Sequence, residues 1–149
     1  MASTLSNSSL TVTVTEKLTL NGRDHGSNQK ITITGVNEVS KRILTCATSG
    51  TQVYAGSTAA AFGTFVTNDV RYTRITNLDD TNFIVLHLEG NSHYAQIAVP
   101  AGSVFFLTDV SSVFDNASAV ASFSAEDITR IDVMANTAAC DVEIMVASA

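Results

Sequence analysis

The chain has 149 residues, enough for one domain with a real hydrophobic core, and carries a formal net charge of −6. Apolar residues make up 45% and charged residues only 15%, well under the usual share, so the polar surface falls to Ser, Thr and Asn. The acidic balance argues against the basic footprint that nucleic-acid binding needs, the 7% aromatic content without Trp disfavours a stacking platform for sugars or bases, and no stretch has the length and apolarity of a membrane span.

Residues 1–9 (MASTLSNSS) are polar and lack the basic and apolar segments of a secretory signal. They read as a flexible N-terminal arm ahead of a single domain over 10–149, made in a cytosol. From Leu10 to Leu20 the even positions Leu10, Val12, Val14, Leu18 and Leu20 are apolar, while the odd ones are Thr or Lys. A period of two predicts a strand with one buried and one wet face. Asn21-Gly22 is a turn signal inside the polar loop NGRDHGSN. Ile31 and Ile33 alternate with Thr32 and Thr34 in the next strand, which Gly35 breaks. Val36–Cys46 then reads as one longer strand or two short ones, with Val39, Ile43 and Leu44 as core candidates. Thr51–Ala55 is a brief strand, and Gly56–Gly63 is small and flexible.

The central region is cleaner. Val70–Thr76 is a strand, Asn77-Leu78-Asp79-Asp80 a turn, and Asn82–Glu89 (NFIVLHLE) so apolar that it is expected to be a central strand covered on both faces. Gly90-Asn91-Ser92 turns the chain back into His93–Val99, Pro100-Ala101-Gly102 makes a corner, and Ser103–Thr108 is another apolar strand. Asp109–Ala125 is either a long crossing loop with a weak helical turn or a poor strand. Asp127–Met134 and Ala139–Val146 form a final antiparallel pair, the latter with Cys140, Val142, Ile144 and Val146 on one face. The total is about nine strands, the number for two packed sheets, so the fold class is an all-β antiparallel sandwich.

The runs RYTRITNLDDTNFIVLHLEG, AVPAGSVFFL and DITRIDVMANTAACDVEIMVAS resemble small sheet-rich virion structural proteins of tailed bacteriophages, as found in marine and environmental phage. In those proteins an R-x-x-R-I-T-N strand leads through an acidic turn into an apolar strand. A P-A-G corner follows, and a D-x-E-I/V strand ends the pattern. The resemblance spans most of residues 10–149 and implies a jelly-roll-like fold. It further implies a head decoration (cement) protein that works as a homotrimer on the capsid surface, with the major capsid protein as partner. It brings no chemical motif, so no functional residue is carried over from it.

Chemical motifs are scarce in the chain. There is no phosphate-binding Gly loop between strand and helix, no Gly-x-Ser-x-Gly elbow and no His-Glu-x-x-His, so no enzyme activity and no cofactor are expected. His87 and His93 flank the Gly90-Asn91-Ser92 turn with Glu89 nearby, a pattern read as a polar cross-strand pair in preference to a metal site. Asp79 and Asp80 read as a solvated turn, lacking the further oxygens that calcium needs. Cys46 and Cys140, the two cysteines, read as buried reduced thiols, with a disulfide between them as the alternative.

The candidate interface set is Leu5 in the arm, Lys41, Arg42, Arg71, Tyr72 and Arg74. Lys41-Arg42 is a local basic spot. Arg71 and Arg74 are three apart, so they point to opposite strand faces as rim charges or interface anchors. An oligomer would leave on each protomer an apolar patch that assembly covers, and the arm would tether a neighbour. The competing reading is a tail or fibre component acting as a glycan- or receptor-binding sandwich. That reading calls for loop aromatics, whereas Tyr54, Tyr72 and Tyr94 all fall in predicted strands.

Overall fold

The computed structural model describes residues 6–115 and 122–149. The chain begins as a long ribbon. Strand β1 (Ser8–Glu16) runs antiparallel to β4 (Ser27–Val36), and a short ladder of β2 (Thr19–Leu20) with β3 (Arg23–Asp24) closes the far end. Asn21 and Gly22 at the tip have φ of 51° and 74°, the left-handed pair that a two-residue hairpin needs to match the twist of its strands. The expected strand over Leu10–Leu20 is therefore interrupted after Glu16. Of the expected arm, Ser8 and Ser9 already belong to β1, and residues 1–5 lie outside the described residues.

The remaining strands form the sandwich: β5 (Glu38–Cys46), β6 (Thr51–Ser57), β7 (Phe65–Val66), β8 (Val70–Asn77), β9 (Ile84–Glu89), β10 (Tyr94–Val99), β11 (Val104–Leu107), β12 (Arg130–Ala135) and β13 (Cys140–Ser148). One sheet has the order β11-β8-β13-β5. The other has the order β10-β9-β12-β6, with β7 added in parallel at its edge. Apart from β7 the pairing is nested. β5 pairs with β13, β6 with β12, β8 with β11 and β9 with β10, every pair antiparallel. Nested pairs shared between two facing sheets define a jelly roll, in agreement with the all-β sandwich expected from the strand pattern.

The sheets are held by their inner faces. Ile75, Ile84, Leu86, Ile131, Val133 and Val142 are all fully buried between them, each contributing about 1.5–3 kcal/mol in removal from water. Val110 and Ile128, from the segments that cross between sheets, close one end. β9 is a central strand, but not one covered on both faces. Ile84, Leu86 and Leu88 are buried inward, while Val85, His87 and Glu89 are half-buried on the outer face. Of the Asp109–Ala125 stretch, residues 116–121 lie outside the described residues. Its flanks meet at an antiparallel bridge between Phe114 and Glu126.

The ribbon stands outside this body and touches it only at the root. Val36, Leu10, Val12 and Ile33 pack on Tyr72, Phe106, Met145 and Ala147, which face outward from the sheet β11-β8-β13-β5. Further along, Leu18 and Leu20 remain 54% and 55% exposed. The buried face expected for Leu10–Leu20 is thus buried at one end alone. The periodicity fixes which residues share a face, and says nothing about what covers that face.

Candidate interaction surface

Alternation along β5, β13 and β8 sets what the outer face of the sheet β11-β8-β13-β5 presents. Leu44 and Cys46 of β5 turn inward, which places Lys41, Ile43 and Thr45 outward. The register sets Ile43 opposite Glu143, and Glu143 opposite Thr76, so one row crosses the sheet. Glu143 holds the centre. Lys41 Nζ lies 3.0 Å from its Oε2, and the Arg74 guanidinium pairs with its other oxygen. Hydrogen bonding from Lys41, and after it Arg74, outweighs partial desolvation and holds the Glu143 carboxyl below the usual carboxylate range. Arg74 also donates to Thr76 Oγ1 at 3.1 Å, and Thr45 Oγ1 donates to Asp141 Oδ1 at 2.7 Å.

Three of the residues singled out from the sequence therefore share one face: Lys41, Tyr72 and Arg74. Tyr72 lies under the ribbon root, its ring tilted 33° against Phe106 at 6.1 Å, and burial raises its phenol pKa. Arg42 does not join Lys41 in a basic spot. It sits on the opposite side of β5 and donates to the Val53 carbonyl at 3.1 Å, linking the edge of one sheet to β6 of the other. Arg71 is apart as well, donating at 2.8 Å to the Asn68 carbonyl in the short 3-10 turn Thr67–Asp69. Leu5 lies outside the described residues.

Uncovered apolar side chains cluster around this surface. Ile43 is 60% exposed, and Val39 and Val104 are also open to solvent. Val39, Ile43 and Val104 share the outward face of the Lys41–Glu143–Arg74 group, while Val14, Leu18 and Leu20 are open on the ribbon. Charge divides unevenly between the two parts. Residues 1–36 carry Lys17, Arg23 and Lys30 against Glu16 and Asp24, a net of +1, which leaves the remainder at −7. A surface of this kind can bind a protein through apolar burial and matched charge.

The other polar groupings are internal braces. The Asp79 carboxylate accepts the Asn82 and Thr81 amides at 2.6 and 2.9 Å, and these bonds lower its pKa. It stabilises the turn that the sequence pointed to. His87 and His93 do not face each other. His87 stacks on Tyr94 with ring centroids 5.6 Å apart, while His93 Nδ1 lies 3.4 Å from Asp115 and 3.3 Å from Glu126. Glu126 escaped the sequence reading. It accepts hydrogen bonds from the Ser92 hydroxyl and from the Ser92 and His93 amides, which together lower its pKa and tie the β9–β10 turn to the Phe114–Glu126 bridge. Its place after a Ser- and Ala-rich stretch without periodicity gave no signal. Cys46 and Cys140 are directly opposed in the β5–β13 ladder as free thiols, and burial pushes the Cys46 thiol up to about 11.

Among the described residues no group of three or more His, Cys, Asp or Glu converges on a metal position, and no helix is long and apolar enough to cross a membrane. Comparison of the chain with protein-family models, with curated proteins and with solved structures gives no match.

Proposed function

We propose that this protein is a non-enzymatic structural component of a tailed-phage virion. In this reading it is a capsid decoration protein that oligomerises, as a trimer, and stabilises the head by binding between major capsid subunits. The observation that carries the reading is the ribbon. A two-stranded hairpin is marginally stable alone in water. This one still extends an apolar side past the body that its root packs on. Such an element gains stability by seating on another molecule. The +1 ribbon against a −7 body favours the body of a second copy as its seat. The resemblance of the central and C-terminal runs to phage virion proteins adds the capsid as the setting.

The test is solution mass by light scattering, alone and after mixing with emptied phage heads. A trimer that co-sediments with heads supports the reading. The double variant Leu18→Asp/Leu20→Asp is expected to stay folded, because both positions are exposed, and to shift the mass to monomer. A monomeric wild type indifferent to heads would refute it.

A further inference from the structure

At one end of the sheet β10-β9-β12-β6 a cavity of about 200 Å³ opens beside the β9–β10 turn. Its wall mixes polar and apolar surface, and the residues that line it include Ser57, Thr58, Asn68, Asn91, Asp127 and Thr129. Gly56 and Thr67 complete it. A Cβ on Gly56 would lie 2.7 Å from Thr67 Oγ1 and 3.1 Å from the Tyr54 hydroxyl, so a side chain there would collide with the groups behind the cavity wall. The Tyr54 hydroxyl is fully buried beside Thr67 and does not itself line the cavity. Asp127 Oδ1 accepts the Ser112 amide at 2.8 Å, while Oδ2 takes no hydrogen bond among the described residues.

The donor and acceptor set suggests the ligand class. Hydroxyls, two carboxamides and one carboxylate match a molecule dense in neutral hydroxyl groups. At about 30 Å³ per water, the cavity holds the volume of six or seven waters, the bulk of one sugar ring. A divalent cation fits less well, since calcium takes several converging oxygens and the wall offers a single, half-engaged carboxylate.

The strand register then places a second feature next to the first. Thr129 precedes Arg130 and Gly56 follows Ala55, and the row Ala55, Arg130, Glu89, Tyr94 crosses four strands immediately beyond the cavity. Tyr94 is 54% exposed and stacks on His87 at an interplanar angle of 18°. An amphipathic ring of this kind offers an apolar surface beside polar groups. We propose that this end of the sandwich is a saccharide-binding site, seating one neutral sugar residue in the cavity and the next across Arg130 and Tyr94. The site lies on the opposite sheet from the ribbon root and does not depend on capsid binding or oligomerisation.

The test is titration of the isotope-labelled full chain, followed by amide NMR. The ligands are glucose, galactose, mannose and N-acetylglucosamine, then their β-linked disaccharides, and separately calcium chloride. Saturable shifts at Gly56, Asn91 and Thr129 with at least one sugar are expected. Asn68→Ala/Asn91→Ala should weaken that binding by about tenfold or more, with β13 amides unmoved as the control for folding. Tyr94→Ala should leave the monosaccharide affinity unchanged and abolish the gain from the second residue. Absence of shifts with every sugar, shifts with calcium alone, or sugar shifts unaffected by the double variant would overturn the proposal.

Discussion

Asn77 is a fully buried polar side chain at the end of β8, and its replacement tests how the sandwich is closed. Its Nδ2 donates to the carbonyls of Asn82 at 2.8 Å, Pro100 at 3.1 Å and Val99 at 3.3 Å, while its Oδ1 accepts the Asp79 amide at 3.1 Å. With only two N–H hydrogens, the amide shares them among the three carbonyls. Asn77→Ala removes two full donor bonds and one acceptor bond, at about 1 kcal/mol net each, so a loss of about 3 kcal/mol is expected. For a chain of this size each kcal/mol moves Tm by roughly 2–4 °C, which gives a fall of about 6–12 °C by calorimetry. Asn77→Asp supplies the sharper comparison. It keeps the shape and the acceptor but turns a carboxylate toward three carbonyls, so it should be more destabilising than Ala at neutral pH. An Asp variant as stable as wild type, or milder than Ala, would refute this account of the corner.

Other consequences are open to measurement. Gly90→Ala would bring a Cβ to 2.5 Å from Glu126 Oε2 and 2.9 Å from Phe114, so hydrogen exchange at the Ser92 and His93 amides should accelerate while β13 stays protected. Glu126 has a lower pKa folded than unfolded, because the Ser92 hydroxyl and amides favour its ionised form. The stability it adds is therefore complete above the unfolded glutamate pKa of about 4.3 and lost as pH falls through the folded value. Denaturant midpoints of wild type and Glu126→Gln should differ at neutral pH and converge in strong acid; a gap that persists in acid would point to packing instead. With its thiol pushed up to about 11 and fully buried, Cys46 should resist iodoacetamide in the native state and react on unfolding, as read by mass spectrometry.

Some local parts of the fold were legible in the sequence, but the antiparallel pair expected from Asp127–Met134 and Ala139–Val146 does not form, because β12 lies between β9 and β6 in one sheet and β13 between β8 and β5 in the other. The β9–β10 hairpin follows from two alternating runs around Gly90-Asn91-Ser92, and the ribbon tip from Asn21-Gly22. The nested pairing was not legible. β5 meets β13 through partners such as Thr45 and Asp141, 96 residues apart, and no local pattern encodes which distant strand fills the gap between β5 and β8. Asn77 reads as a turn residue because Asn favours turns, yet here its hydrogen-bonding capacity serves the interior. Of the candidate interface, Lys41 and Arg74 were legible as exposed-face cations. Their meeting on Glu143 depends on a register that only the sheet supplies. Arg42 left that set because neighbours in a strand point opposite ways.

The position of β13 bears on how the protein is made. β13 is translated after every other described strand, yet it lies in the interior of its sheet, between β5 and β8. While the nascent chain grows, β5 and β8 have no common neighbour, and the apolar sides of Ile75 and Leu44 wait for Val142, Ile144 and Val146 to leave the ribosome. The sheet β11-β8-β13-β5 is therefore completed only when β13 is available. The ribbon is paired entirely within residues 8–36, yet its root packs on Met145 and Ala147 of β13, so its seat on the body also waits for that strand.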